Sequence, residues 1–550
     1  MVSSSFKAVL MLREISEYSP LEIKFHIASF LFVHYLRVQM KASTEKQFMM
    51  QRVQEENLRA IFGLKLRQYR EQHGLSTQDL AKKSGLSASY INEIEKGKKY
   101  PKADKIMSLA NALEVDYDEL VSLKLGKQLD QLSDLLKSNA LHEMPLELFG
   151  IKTSDLVGLM GNDPAKFSAL LQTLLEVARN YDVQVEQFLL AALRSYQELN
   201  SNYFDALEKE AQIFLEKHEW TTLPTIPYEK LKKLLADKHN YEIIETNFED
   251  QPELQAFRSV FVPGDTPKLF INNELLPSQK AFVLGRELGY SILDLEERAL
   301  TSSWIKVESF DQVLNNFKAS YFSGAILMNR FTLVRKLQDF FNQEHWNPDA
   351  LLDMINYFDT TPETFTHRLT QILPHYFGID QLFFLRFHNQ PGTEQFKLSK
   401  ELHLSQLHNP HRVNPSEHYC RRWVTITQLQ KLADMNIHEA EEKPLVDIQR
   451  SKFYGTDNEY LCISFARPLA LNSDTNSCIT LGLLYNDTLK NNINFANNAD
   501  IKTRVVNESC ERCPLSDCEE RVAEPIISRE EQKQNKREES LQQFVEKHKK

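Results

Sequence analysis

Three cysteines crowd into nine residues near the end of this chain. Cys510, Cys513 and Cys518 sit in SCERCPLSDCEER, spaced C-x2-C-x4-C, with Arg512 and Arg521 beside them. Thiolates at this spacing bind zinc or an iron–sulfur cluster, and either takes about four ligands. Cys420, in HYCRRW, is the candidate fourth, provided that the fold brings the two segments together. Cys462 and Cys478 lie in apolar, strand-like runs and read as core packing. Six cysteines in 550 residues do not make a disulfide scaffold.

A second set of side chains has the types and spacing to read a surface. Residues 76–97 run STQDLAKKSGLSASYINEIEKG, two short helices around a turn. Ser76 and Ser87 are placed as N-caps, and Gly85 as the residue that leaves the first helix through positive φ. Leu80, Ala81, Leu86, Ile91 and Ile94 fall on the buried faces. Ser87, Ala88, Ser89, Tyr90, Asn92 and Glu93 then face outward, small and polar enough to approach base edges. Amphipathic helices over 58–73 and 101–113 and a short one over 117–123 complete a five-helix bundle. Between Arg59 and Lys105, 11 basic residues stand against 5 acidic ones, a local +6 on a chain of net charge −11. Such a module attracts phosphates where the rest of the chain repels them.

This segment resembles the phage-repressor-like (Cro/C1, XRE) helix-turn-helix family, down to the I-N-E-I-E-K-G ending of the second helix. The resemblance implies that Gln78, Lys96, Lys98 and Lys99 hold phosphates of double-stranded DNA and that Ser87, Ser89 and Asn92 read bases. One such module covers a short half-site, so a homodimer on a symmetric operator is expected. Further on, short strands at 241–246, 259–262 and 268–271 and helices over 277–295 and 317–329 are similar in order to the ImmA/IrrE zinc metallopeptidases. That family's HExxH places two histidines on one helix face around a glutamate that activates water. The same positions here read Arg286, Glu287, Leu288, Gly289 and Tyr290, and the third-ligand position reads Lys318. Only the glutamate remains, so a retained fold without peptidase chemistry is expected, with Glu287 paired to Arg286 or Lys318.

Together, the helix-turn-helix, the degenerate peptidase segment, C-R-R-W at Cys420 and the terminal cysteine motif resemble the short-chain fatty-acyl transcriptional regulators. These include regulators of propionate and acetate metabolism. The resemblance implies an acyl-CoA effector and a [4Fe–4S] cluster on Cys420, Cys510, Cys513 and Cys518, with zinc as the alternative. Arg421, Arg422, Arg450 and Lys452 are the candidate cations for the CoA phosphates.

The expected architecture is multidomain and mostly α, with an α+β carboxy-terminal half. Length alone suggests three or four domains, and a composition of 42% hydrophobic and 26% charged residues is that of a globular protein. The apolar run 27–38 is short, is broken by His34 and Arg37, and has no small-residue cleavage site, so neither a membrane anchor nor a signal peptide is expected. A cytoplasmic protein follows. Residues 1–48 read as an extension upstream of a start at Met49 or Met50. The helix-turn-helix module occupies 55–125 and a helical linker or dimerisation region 126–220. The degenerate peptidase-like domain spans 221–375 and the α/β sensor domain 376–525. The charged tail, 526–550, lacks a strong apolar face and is expected to be disordered or a frayed helix. Apolar stripes through Leu129–Leu136 and Phe167–Val177 mark core or dimer contacts in the linker.

Overall fold

A computed structural model describes residues 58–122 (without 60 and 64), 185–301, 309–404, 417–435 and 443–549. The extension and both linker stripes lie outside the described residues. The chain divides into two compact units, Met1–Val183 and Gln184–Lys550.

In the first unit, α1 lies within residues 58–72, followed by α2 (Thr77–Ser84), α3 (Ala88–Glu95), α4 (Ala103–Leu113) and α5 (Tyr117–Val121). Local chemistry sets these boundaries. Ser76 and Asp79 form a reciprocal capping box, and Ser87 accepts the Tyr90 N–H at 3.2 Å. Gly85 takes φ 68°, which only glycine adopts at no steric cost. The α4 helix starts two residues later than the sequence suggests, because Lys102 is extended and serves as its N-cap. Phe62, Leu66, Leu80, Ile91, Ile94, Ile106, Leu109, Leu113 and Leu120 fill the core. Gly63 lets α1 lie directly on the end of α3: a Cβ there would sit 2.2 Å from the Ile94 carbonyl oxygen. Gly63→Ala should therefore force the helices apart and cost about 1–3 kcal/mol. Denaturant unfolding of a fragment carrying this unit checks it, and an unchanged midpoint would refute the contact.

The second unit opens with α6 (Val185–Leu199), α7 (Asp205–Lys217) and α8 (Tyr228–His239). Strands β1 (Glu242–Thr246), β2 (Ser259–Val262) and β3 (Lys268–Asn272) form a sheet in the order β1-β3-β2, with β1 and β3 parallel. Helices α9 (Pro277–Ile292) and α10 (Phe310–Leu327) pack closely: a Cβ on Gly289 would meet the Ala319 backbone at 2.9 Å. Then come α11 (Arg330–Phe341), α12 (Pro348–Tyr357) and α13 (Pro362–Phe377). The larger sheet comprises β4 (Leu382–Asn389), β5 (Phe396–His403), β6 (Leu445–Phe453), β7 (Glu459–Leu469), β8 (Asn472–Leu484) and β9 (Thr503–Val506). Their order is β5-β4-β8-β7-β6-β9, with only β6 and β9 parallel. Alternation along the strands makes two cores. Leu382, Phe384, Leu461, Ile463, Leu481 and Leu483 face α11–α13. Phe383, Leu385, Tyr460, Cys462 and Cys478 face α14 (Val424–Ala433). A short α15 (Asp487–Asn492) and a final α16 (Ile526–His548) complete the order.

Three expectations change. Helices α6 and α7 are not linker: Ala211, Phe214 and Leu215 lie in the core beside α9 and α10, so an amphipathic stripe here faces its own unit. The expected boundary at 375/376 cuts through a single core that runs from Met328 to Ile501, since α11–α13 are the cover of the larger sheet. The charged tail is one continuous 23-residue helix. Its strong helix formers and Glu530–Lys533 pairing favour it, and its first N–H groups, at Ile527 and Ser528, donate to the Glu511 carbonyl. Among the described residues, no helix is long and apolar enough to cross a membrane.

Candidate functional site

The capped α2–turn–α3 arrangement fixes what the first unit presents. Gln78, Ser87, Ser89, Asn92, Lys96, Lys98 and Lys99 are exposed, while Ala88 and Tyr90 are half-buried. Lys99 is held in place, 2.8 Å from the Glu93 carboxylate and 5.7 Å from the centre of the Tyr90 ring. Two of the local cations are structural. Arg70 makes a two-pronged pair with the buried Glu95 at 2.6 and 2.9 Å. Buried Lys65 donates to the carbonyls of Glu119 and Ser122, and burial lowers its ammonium pKa. The surface available to phosphates is thus less basic than the raw count.

In the second unit, a two-strand clasp joins the cysteine segments. Tyr419 and Ser509 form an antiparallel bridge, Cys420 N–H donates to Glu508 C=O at 3.2 Å, and Cys510 N–H to His418 C=O at 2.9 Å. The Trp423 indole N–H, at the start of α14, donates to Asn507 C=O at 2.8 Å. The Glu511 carboxylate accepts the His418 N–H at 2.9 Å, and Glu417 accepts from Ser509 and Arg512. Arg521 gathers the loop from inside, donating to the carbonyls of Cys510, Cys513, Leu515 and Ala523. Glu417 carried no sequence signal, and the roles of His418, Trp423 and Glu511, which lie inside the two cysteine motifs, come only from partners about 90 residues away.

As a result Cys420, Cys510, Cys513 and Cys518 line one small cavity with Arg421, Arg422, Glu520 and Arg521. Cys420, Cys510 and Cys513 are buried and Cys518 is half-buried. Among the described residues, no three His, Cys, Asp or Glu side chains are arranged to hold a metal ion, so the thiols share a cavity without being drawn around one point. Burial pushes the Cys420 thiol up to about 11 and also raises Cys518. Arg421 is buried, and its Nε and Nη1 have no hydrogen-bond partner, while Nη2 lies 3.0 Å from the Glu394 carboxylate. Arg422 Nε likewise makes no hydrogen bond and lies 3.6 Å from Glu520.

The four candidate cations do not form one group. Gln449 and Ser451 of β6 are buried, and Gln449 donates to the Arg422 carbonyl, so strand alternation turns Arg450 and Lys452 to the opposite sheet face. Arg450 is spent on the Asn498 and Ile501 carbonyls, and Lys452 is exposed.

In the 286–290 segment of α9, Glu287 is fully buried, and its partner is one that the sequence did not suggest. Arg298 grips it from two sides, at 2.7 and 2.8 Å, with its guanidinium 3.6 Å from the Phe261 ring centre and 4.1 Å from that of Tyr290. Arg286 stays 3.9 Å away, and Lys318 is only half-buried on α10.

Comparison with known proteins agrees with this division. Residues 66–120 match the helix-turn-helix family, and residues 236–370 match the IrrE N-terminal-like domain. Over 60 residues, 11% of this chain, the sequence is 37% identical to the uncharacterized HTH-type transcriptional regulator YazB of Bacillus subtilis (strain 168), covering 87% of it. Over 61 residues it is 44% identical to the HTH-type transcriptional repressor RghR of the same organism, of which it spans 45%. A solved Mycobacterium tuberculosis transcriptional regulator aligns over 60% of this chain and 92% of its own, at 17% identity and a TM-score of 0.41. With its capped helix pair and its exposed polar face, the chain belongs to the HTH-type transcriptional regulators.

Proposed function

We propose that this protein is a homodimeric regulator that reads an operator through α3 and responds to a short-chain acyl-CoA, adjusting fatty-acid, propionate or acetate-type metabolism in the cytoplasm. The observation that carries the DNA reading is the exposed row Ser87, Ser89 and Asn92 on a helix whose other face is locked into the core by Ile91 and Ile94. Ala88 and Tyr90 fit beside it as short-range contacts to the groove. Gln78, Lys96, Lys98 and Lys99 suit phosphates, which position the module without specifying sequence.

The cysteine centre is proposed to hold a [4Fe–4S] cluster. Four soft thiolate donors suit such a group or zinc. The partnerless N–H groups of Arg421 favour the cluster, whose inorganic sulfides add acceptors and negative charge beside a buried cation. When bound, the cluster supplies electron-transfer or redox-sensing chemistry. The chain's own residues order the loop (Arg521), clasp the two segments (His418, Cys420, Glu508, Cys510) and balance charge (Arg421, Arg422). An effector shifts DNA binding only if it binds the two states unequally.

Selection of binding sites from random duplexes, followed by salt titration, tests the DNA reading. Lys98→Gln should weaken binding evenly across sequences and lower the slope of log K against log salt by about 1. Absence of any selected sequence would sink the proposal, and operator affinity indifferent to acetyl-, propionyl- and butyryl-CoA would remove the effector. The IrrE-like match favours one other reading, a metallopeptidase. Against it, Arg286 and Tyr290 occupy the i and i+4 positions that the motif reading assigns to zinc-binding histidines, and Glu287 is paired with Arg298. Proteolysis lost on Glu287→Gln would restore that reading.

A further inference from the structure

One buried cation of the second unit lacks a close counter-ion. Gly285 and Gly289, one turn apart on α9, let this helix lie directly against Ser323 and Ala319 of α10. Arg286, the residue after Gly285, is buried on the β2 side, where its Nη2 lies 3.5 Å from the Ser259 hydroxyl. That distance is the outer limit of a hydrogen bond. The Arg286 Nε is buried with no hydrogen-bond partner at all.

Glu287 is already engaged. Arg298 takes both of its oxygens, at 2.7 and 2.8 Å, and the Tyr241 hydroxyl donates to one of them at 3.4 Å. Arg286 stays 3.9 Å away. Two guanidiniums around one carboxylate leave a positive charge unbalanced inside the fold. Burial lowers the Arg286 guanidinium, Glu287 raises it, and the neighbouring cations Arg298 and Arg258 lower it further. An arginine keeps its proton even so. A buried charge without a partner is strongly unfavourable, and a bound anion would relieve it. The way in is narrow: the Arg286 and Arg298 side chains keep 8% and 10% of their surface, which limits a ligand to a few atoms.

We propose that Arg286 holds a small monocarboxylate, of the size of formate or acetate, between α9 and β2. The planar guanidinium offers paired donors that match two carboxylate oxygens. One negative charge balances the cluster of Arg286, Glu287 and Arg298, whereas a phosphate dianion would leave a charge of the opposite sign in a low-dielectric interior. The site shares no residue with the cysteine cavity, and it does not depend on the acyl-CoA reading.

Thermal unfolding of the full chain would be followed against formate, acetate and phosphate, with chloride balancing the ionic strength, beside Arg286→Met and Arg286→Lys. Formate or acetate should raise the midpoint of the second unit saturably in wild type, because a ligand that binds only the folded state stabilises it. Arg286→Met removes a buried charge and leaves the Glu287–Arg298 pair intact, so it should fold, and its midpoint should not respond. Arg286→Lys keeps the charge but loses the fork, and its apparent affinity should fall about tenfold or more. No saturable rise in wild type, or the same rise in Arg286→Met, overturns the site. An equal rise with phosphate, or undiminished affinity in Arg286→Lys, overturns its assignment to a carboxylate.

Discussion

Cys513→Ser protein, purified without oxygen, is expected to be colourless and nearly free of iron and sulfide, while wild type is brown with a broad shoulder near roughly 400 nm. Serine keeps the size but loses the soft donor, and its hydroxyl is not ionised at neutral pH. The clasp of Cys420 and Cys510 backbone groups does not involve the Cys513 side chain, so the loop should persist. Cys462→Ala is the control: that thiol is buried between strands, away from the cavity, and iron should be retained. Equal iron in wild type and Cys513→Ser would refute the cluster. About one zinc per wild-type chain, lost in the variant, would make the site a structural one.

Arg368→Met is expected to destabilise the second unit by about 3–5 kcal/mol at neutral pH. Arg368 is fully buried and grips Glu208 at 2.5 and 3.0 Å, and Tyr321 donates to the same carboxylate at 2.8 Å. Burial alone would raise the Glu208 carboxyl, but Arg368 outweighs it and holds the group below its ordinary range. The contribution of Glu208 is therefore present above the unfolded carboxylate pKa and lost as pH falls through the folded one. Without Arg368 the buried carboxyl takes up a proton more readily, so the deficit should be largest near pH 7 and shrink on acidification. Thermal unfolding across pH measures this, and a loss independent of pH would assign the effect to packing alone. Arg368→Met with Glu208→Met should recover much of the stability, since two apolar side chains remove both buried charges.

The parts of the fold legible in the sequence are those fixed by near neighbours. Ser76, Gly85 and Ser87 set helix ends within a few residues, and the strands at 259–262 and 268–272 are bounded by turns. Apolar strands such as β7 and β8 announce themselves because both their faces are covered. The polar β5 and the short β9 do not, since they form the two edges of the sheet. Arg298 could not be read as the partner of Glu287, nor α7 as core, because the contacts that decide them are tertiary. The carboxy-terminal thiol spacing was plain, but its relation to Cys420 depends on the Tyr419–Ser509 bridge. Strand alternation, which depends on the register of β6, places two of the candidate cations, Arg450 and Lys452, on the far side of the sheet from Arg422.

Arg298 has one more consequence. A zinc ion can be competed away, exchanged for another first-row metal, or stripped by a chelator. A guanidinium cannot: it is synthesised with the chain and keeps its charge at every physiological pH. The glutamate at the heart of this helix pair thus has a counter-ion in permanent one-to-one supply, whatever metals the cell can obtain.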